Sequence, residues 1–374
     1  MGALPGAAFA ADAAEEEEVK TFPRIEGSVS IEIQGDFFDS DNADSPGSDI
    51  YTKTELGVAW HFNKHFSIHT GLVLEPVEDP FPGQDRVFDD HGLYAEQVYA
   101  QLDFAPFRLF AGKFNPAFGK AWDLTPGVYG ADLAEDSYEL TERIGGGVEV
   151  KKQAGSLGTL TATASAFFLD NTALENSAFR DRAPTSEETG IPSNTDGLDS
   201  FALAVEGEDI PALAGISYHL AYLHQERGEL FGADGADFTD QDAFVFALYG
   251  SHKYNSVGLE WIGEVAYVDG FLGADDSNNY ESWFYTAGAK ITFDKYNVAA
   301  AYTYNDNEGF GTRAGDDFEV HQFSVSAGVE IRDGWTLDLG YKYLEEADED
   351  THVVGFLFAK QMEFNTGRLD SLQK

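Results

Sequence analysis

The stretch T-H-V-V-G-F-L-F-A-K-Q-M-E-F, Thr351 to Phe364, reads as a β-strand with two unlike faces. Val354, Phe356, Phe358, Met362 and Phe364 fall on one side of a period of two, the spacing at which side chains share a sheet face. An apolar face ending in an aromatic is what a strand presents to hydrocarbon, so this stretch is expected to close a membrane-crossing barrel. It must then pair with the first strand, near Ile25, because in lipid only a sheet without edges satisfies its own backbone. Lys360 interrupts the apolar series; near a membrane rim a lysine lays its stem along the apolar surface and carries its ammonium to the polar boundary. Residues 365–374 form a polar tail.

The same alternation runs back through the chain. Ile25, Gly27, Val29, Ile31 and Ile33 oppose Glu26, Ser28, Ser30, Glu32 and Gln34. Trp283, Tyr285, Ala287, Ala289, Ile291 and Phe293 oppose Ser282, Thr286, Lys290 and Thr292, and Leu160, Ala162, Ala164, Ala166 and Phe168 oppose Thr159, Thr161, Thr163 and Ser165. Long polar loops at 36–49, 75–92, 115–143, 170–200, 226–242, 269–279, 305–317 and 345–350 take turns with brief links near 63–64, 105–106, 153–156, 209–212, 254–255, 294–295 and 332–334. The segments between these breaks number about sixteen, each long enough to cross a bilayer at a tilt. The expected fold class is all-β, a transmembrane antiparallel up-and-down β-barrel over 25–364. A sandwich would not show two-sided loop asymmetry, and a propeller would show a blade repeat.

Composition agrees. The chain has 374 residues, no cysteine, 39 glycines and 14% aromatics, and no apolar run long enough for a membrane helix. Without cysteine there are no disulfides and no thiolate metal sites. A formal net charge of −43 argues against nucleic acid as a partner, since phosphate backbones call for clustered Lys and Arg; it also suits salty surroundings. Residues 1–24 read as a signal-peptide remnant and acidic leader, with Ala8-Phe9-Ala10 in the small-x-small form of a cleavage site.

About sixteen strands enclose more space than side chains fill, which makes a water channel the default. The face opposite the apolar stripe is expected to line it with Glu26, Glu32, Lys53, Glu55, His69, Gln97, Gln101, Asp103, Glu149, Lys151, Glu206, His219, Glu260, Glu264, Lys290, Glu330, Asp338 and Lys342. Acids outnumber bases there, which concentrates cations and repels anions. Lys53, Lys151, Lys290 and Lys342 are candidates for a positive arc facing an acidic one.

The most distinctive stretch is G-K-F-N-P-A-F-G at 112–119, followed by Trp122-Asp123, Pro126-Gly127 and Glu135-Asp136. It resembles the third-loop region of proteobacterial porin-like barrels and is also similar to siderophore porins of the legiobactin-uptake type. The resemblance implies a bacterial outer-membrane location with short periplasmic turns and long extracellular loops, a homotrimeric assembly, and a third loop that narrows the pore. By position 115–143 is that candidate constriction loop, with Asp123, Asp132, Glu135, Asp136, Glu139, Glu142, Lys113, Lys120 and Arg143 as its filter. Whether it folds inward or caps the barrel stays open, because sequence does not aim a loop.

Other constellations carry less. Asp39-Ser40-Asp41-Asn42-Ala43-Asp44 lacks the glycine and terminal glutamate of a helical calcium hand. Acidic loops bridged to lipopolysaccharide phosphates by divalent cations are the more natural use of such charge. Asp89-Asp90-His91, in a predicted surface loop, sets an acid beside a histidine as water activation needs, but the sequence does not show a second acidic partner at the right separation, and solvated loop charges are the better reading. His61, His65 and His69 lie on a hairpin rather than one helical face. The expected function is therefore an outer-membrane porin: passive, cofactor-free diffusion of small hydrophilic solutes, with cations preferred. Two alternatives stand beside it, a ferric-siderophore barrel and an outer-membrane hydrolase. About twenty residues precede the first strand, too few for the plug domain of an energised receptor.

Overall fold

The structure, a computed structural model, describes residues 21–41, 45–81, 83–182, 191–213, 215–228, 239–270, 280–308, 317–346 and 349–366. The leader up to residue 20, the end of the tail and residues 42–44 of the Asp-rich loop lie outside these ranges.

Sixteen strands form the wall of a closed antiparallel barrel: β1 (Arg24–Ser40), β2 (Gly47–His61), β3 (Phe66–Pro76), β5 (His91–Phe104), β6 (Phe107–Phe114), β7 (Arg143–Gln153), β8 (Thr159–Leu169), β9 (Ser200–Glu208), β10 (Ile216–Gln225), β11 (Gln241–Tyr254), β12 (Val257–Asp269), β13 (Glu281–Phe293), β14 (Tyr296–Glu308), β15 (Phe318–Arg332), β16 (Trp335–Glu346) and β17 (Glu349–Asn365). A three-residue strand, β4 (Asp85–Val87), pairs parallel to β2 outside this up-and-down order. Two short helices, α1 (Ala121–Leu124) and α2 (Asp132–Tyr138), lie in the connection between β6 and β7.

Closure is as the final strand demands. β1 pairs with β2 on one side and with β17 on the other, in a register that sets Gly27 opposite Phe364 and Ile33 opposite Phe358. The pairings run round a closed ring of strands, so outside one notch the wall satisfies its backbone without water. The Phe364 and Phe356 rings lie where a Cβ on Gly27 or Gly35 would be, so those two glycines let the rings lie flat across the seam. Lys360 points outward from β17; its ammonium donates to the Asp333 carbonyl in the β15–β16 turn and lies 5.9 Å from the centre of the Trp335 ring. The stem thus runs down the apolar surface to the short-turn rim.

The alternation sorts side chains as hydrocarbon and interior require. On β11, Phe244, Phe246 and Leu248 are exposed outward while Ala243, Val245 and Ala247 are buried between them. Trp283, Tyr285, Ile291 and Phe293 continue the outward belt, and near the long-loop end its rings meet across strands: Tyr267 lies tilted against Trp283 at 4.7 Å and Tyr304 stacks on His321 at 5.0 Å. Short turns place Asn255, Asp294 and Asp333 at positive φ, the backbone state that Asn and Asp tolerate in two-residue hairpins.

Several loops are shorter than their polar composition suggests. β1 runs to Ser40 and β2 starts at Gly47, so Asp36 and Asp49 belong to the sheet; β16 and β17 are separated only by 347–348; β14 continues to Glu308. The reason is visible on β13 and β14. Asn305 donates to Ser282 Oγ at 2.7 Å, Ser282 donates to Asn307 Oδ1 at 2.6 Å, and Asn307 donates back to Asn305 at 2.5 Å. Polar residues that satisfy one another on an inner face sustain a strand as well as apolar ones do.

The wall has a notch. β6 ends at Phe114, whereas its neighbour β5 extends to His91, so the upper part of β5 has no β6 beside it. The segment 171–182 fills the place: Leu93 and Ala178 exchange backbone hydrogen bonds of 2.9 and 2.8 Å.

Candidate functional site

The chain that leaves the wall at Phe114 crosses the barrel interior. Its apolar residues Phe118, Ala121, Ala134, Tyr138 and Leu140 are buried in one cluster with Phe167 of β8, Ala221 of β10, Val245 of β11 and Phe284 of β13. That cluster draws the loop inward, because packing these side chains against the inner wall takes apolar surface out of water. Polar contacts then fix it to far strands. The Lys120 and Ala121 N–H groups donate to Glu264 of β12 at 2.7 and 3.1 Å, and Lys120 Nζ lies 3.0 Å from Glu206 of β9. Leu133 N–H donates to Gln322 of β15 at 2.8 Å, Tyr129 donates to Asp36 of β1 at 2.8 Å, and Lys342 of β16 reaches Asp132 at 2.6 Å.

The loop bears Asp123 on α1, Asp132, Glu135 and Asp136 on α2, and Glu139 just after it. Burial pushes the Asp123 carboxyl up to about 6, with Glu96 adding to the rise and Lys120 opposing it. Glu139 is pushed up to about 7, mainly by burial and then by Glu96, against Lys53. Burial takes Glu135 to about 9, and burial with the Asp132 charge raises Asp136. Confinement therefore disfavours crowding negative charge onto this loop.

The barrel residues expected to line the interior all fall on the register opposite the apolar belt. Glu26 and Glu32 alternate with Ile25 and Ile33 on β1; Lys53 and Glu55 with Leu56 and Val58 on β2; Gln97, Gln101 and Asp103 with Val98 and Leu102 on β5. Glu149 and Lys151 on β7, Glu260 and Glu264 on β12, Lys290 on β13, and Asp338 and Lys342 on β16 share that face, and so do His69, Glu206, His219 and Glu330.

The arrangement within that face differs from expectation in three respects. Lys113 is not a filter residue: it sits wholly buried in the wall at the end of β6, where its ammonium meets Asp170 at 2.7 Å, Glu142 at 2.8 Å and the Leu174 carbonyl at 3.1 Å. Glu142 is likewise taken up. Burial alone would raise its carboxyl, but the bidentate Arg182, at 2.7 and 2.8 Å, and Lys113 hold it below the usual range. Glu264 faces inward but is covered by the loop it holds. The third difference concerns the lysines. Lys53, Lys151, Lys290 and Lys342 lie on β2, β7, β13 and β16, spread round the wall, and each is beside a carboxylate: Glu55 at 3.3 Å, Glu208 at 3.7 Å, Glu260 at 2.7 Å and Asp132 at 2.6 Å. They make no positive arc. Arg143 faces inward at the start of β7 and donates to the Thr141 carbonyl at 2.7 Å.

Sequence reading missed several inward groups. Glu96 is the extra residue of an irregularity opposite Gly71 and Leu72, which shifts the alternation so that both Glu96 and Gln97 escape the outward face. Glu96 accepts from Asn115 at 2.6 Å. Arg108 of β6 pairs with Asp103 and Glu149, both at 3.0 Å, and Glu75 accepts from Tyr94, whose ring carries the Arg182 guanidinium 3.9 Å from its centre. The Asp90–His91 pair is committed to structure: Asp90 lies against Arg86 and Arg180, and His91 Nε2 accepts from the Thr52 N–H at 3.2 Å. His61 and His69 meet edge to face at 6.1 Å, and among the described residues no group of three His, Cys, Asp or Glu is placed to hold a metal ion.

No protein-family model and no curated protein sequence matches the chain. Solved structures do. The outer-membrane protein OmpT of Vibrio cholerae superposes with a TM-score of 0.54 at 9% identity, covering 91% of this chain and 99% of that one. OccK9 (OpdG) of Pseudomonas aeruginosa gives 0.52 at 11% identity over 91% and 98%, and OccAB4 of Acinetobacter baumannii 0.51 at 10% identity over 91% and 98%. At such identities the likeness is one of fold, and the fold is that of bacterial outer-membrane porin-like barrels.

Proposed function

We propose that this outer-membrane porin-like barrel is a water-filled channel for passive diffusion of small hydrophilic solutes, that it prefers cations, and that the loop 115–142 sets its narrowest point. The observation that carries this reading is the pairing of charges on the inner face. Lys53, Arg108, Lys120, Lys290 and Lys342 each lie within 3.3 Å of a carboxylate, which cancels their attraction for anions. Carboxylates such as Glu32, Glu96, Asp123, Asp136 and Glu139 exceed the available bases, so the field in the passage is negative. Nothing in this function requires a cofactor or a reaction.

An acidic passage works against anionic ferric chelates, which places siderophore uptake second, and the structural commitments of Asp90 and His91 weigh against a hydrolase. Outer-membrane lipid would meet the aromatic belt, and divalent cations would bridge lipopolysaccharide phosphates to the acidic long-loop rim. One of the OmpT structures is of a trimer form, and a homotrimer is the proposed assembly here.

The test is conductance of the purified chain in planar bilayers across a KCl gradient. A reversal potential of the sign set by K⁺ supports the reading. A Cl⁻-selective current, or no current from folded protein, sinks it.

A further inference from the structure

We infer that Glu264 is the positioning residue that pins the loop across the passage and so sets the width of the opening; the inference rests on the loop being the constriction. Three donors converge on its carboxylate. Oε2 accepts the Lys120 N–H at 2.7 Å; Oε1 accepts the Ala121 N–H at 3.1 Å and the Tyr138 hydroxyl at 2.7 Å. Lys120 and Ala121 lead into α1, while Tyr138 ends α2. One side chain on a single barrel strand therefore ties together both ends of the loop's helical stretch. Most other wall contacts hold its middle, Gly130 and Leu133 at Gln322, Tyr129 at Asp36, and Asp132 at Lys342, and only Glu264 reaches both ends among these anchors.

The surroundings suit a pin rather than a passing-ion site. Glu264 is only 3% exposed, so no permeating ion meets it directly. Aromatic rings flank the anchor: Tyr138 packs edge-on against Phe284 at 5.1 Å and against Phe118 at 6.3 Å. In such a place a carboxylate accepting three hydrogen bonds is strong, and a group unable to accept them leaves buried donors without partners. The next lysine, Lys120, turns its ammonium to Glu206, which also accepts from Tyr249 at 2.5 Å and so braces the same end of the loop against β9.

The experiment uses the full chain in planar bilayers. Glu264→Ala should raise single-channel conductance about twofold, add flicker between levels, and admit larger uncharged polyethylene glycols than the parent. Glu264→Gln, with one acceptor oxygen in place of two, should fall between. Heat-modifiable mobility on gels reports whether each variant has a closed barrel. Because the chain has no cysteine, Ala121→Cys with Glu264→Cys offers a second route that does not rely on the alanine variant folding. Thiol cross-linking of that pair, which re-ties the Lys120–Ala121 end, should bring conductance and polymer cut-off back toward parental values, and reduction should release them. If Glu264→Ala or →Gln and the reduced double variant keep the parental conductance and cut-off while Glu139→Gln shifts the reversal potential, the pin is refuted and the constriction stands. If neither set moves anything, the constriction reading fails and takes the pin with it.

Discussion

Acidification should weaken cation selectivity well above the pH at which ordinary carboxylates titrate. Asp123 and Glu139 hold their protons up to about 6 and about 7 because burial penalises their charged forms. A carboxyl with a raised value is ionised above it and neutral below, so negative charge is present at pH 8 and lost as pH falls through 7 and 6. From these values Glu139 goes from about nine-tenths ionised at pH 8 to about one-hundredth at pH 5, and Asp123 from nearly full to about one-tenth, a joint loss of about two charges. For an ion passing about 5 Å away in water, each charge contributes about 0.8 kcal/mol, or about 0.5 after screening at 0.1 M salt. Losing both should lower the cation concentration at the constriction about fivefold. The assay is the reversal potential in a KCl gradient, titrated from pH 8 to pH 4. Asp123→Asn with Glu139→Gln should abolish the step between pH 7 and 6 and leave the drop near pH 4 in place. A selectivity flat from pH 8 to 5 that then collapses near pH 4 would refute the reasoning, since it would mean these carboxylates are bathed in bulk water.

Further expectations follow from the same contacts. Glu135→Gln alone should hardly change selectivity at pH 7, because Glu135, pushed to about 9, is already mostly protonated there, whereas Glu139→Gln should change it; reversal potentials decide. Lys113→Ala leaves Asp170 and Glu142 in the wall without their shared cation and should cost about 3–5 kcal/mol, read as a lower temperature for the gel-mobility shift of the folded barrel. Gly112→Ala sets a Cβ against the Val98 carbonyl at φ +139°, where only glycine is at ease, and should impair refolding yield in detergent.

What was legible in the chain was periodic. Strands such as β8 and β13 show their two faces directly, and the inward assignment of Glu26, Lys53, Glu149, Lys290 and Asp338 needs only a period of two and one closed sheet. What was not legible depended on partners far away in sequence. The direction of the loop is decided by an apolar cluster shared with β8, β10, β11 and β13, and the burial of Lys113 by Asp170, 57 positions later. Polar runs at 305–308 and 345–346 read as loop because their strand-forming partners, such as Ser282, lie on another strand. Glu96 was hidden by a single slipped residue in β5.

The notch above β6 ties together two connections that the chain order keeps apart. By diverting 115–142 inward, the chain gives up a stretch of wall, and 171–182 has to supply it. The cross-link that covers the notch is thus made between Leu93 and a residue that follows three further strands, so this patch cannot be sealed until β6, β7 and β8 are in place. The barrel has two seams to join, β1 with β17 and this patch, and only the second reports whether the loop has already tucked in. Shortening 171–182 should therefore leave the sixteen strands able to assemble yet produce a leak to lipid at one flank, a lateral slit rather than a wider axial bore.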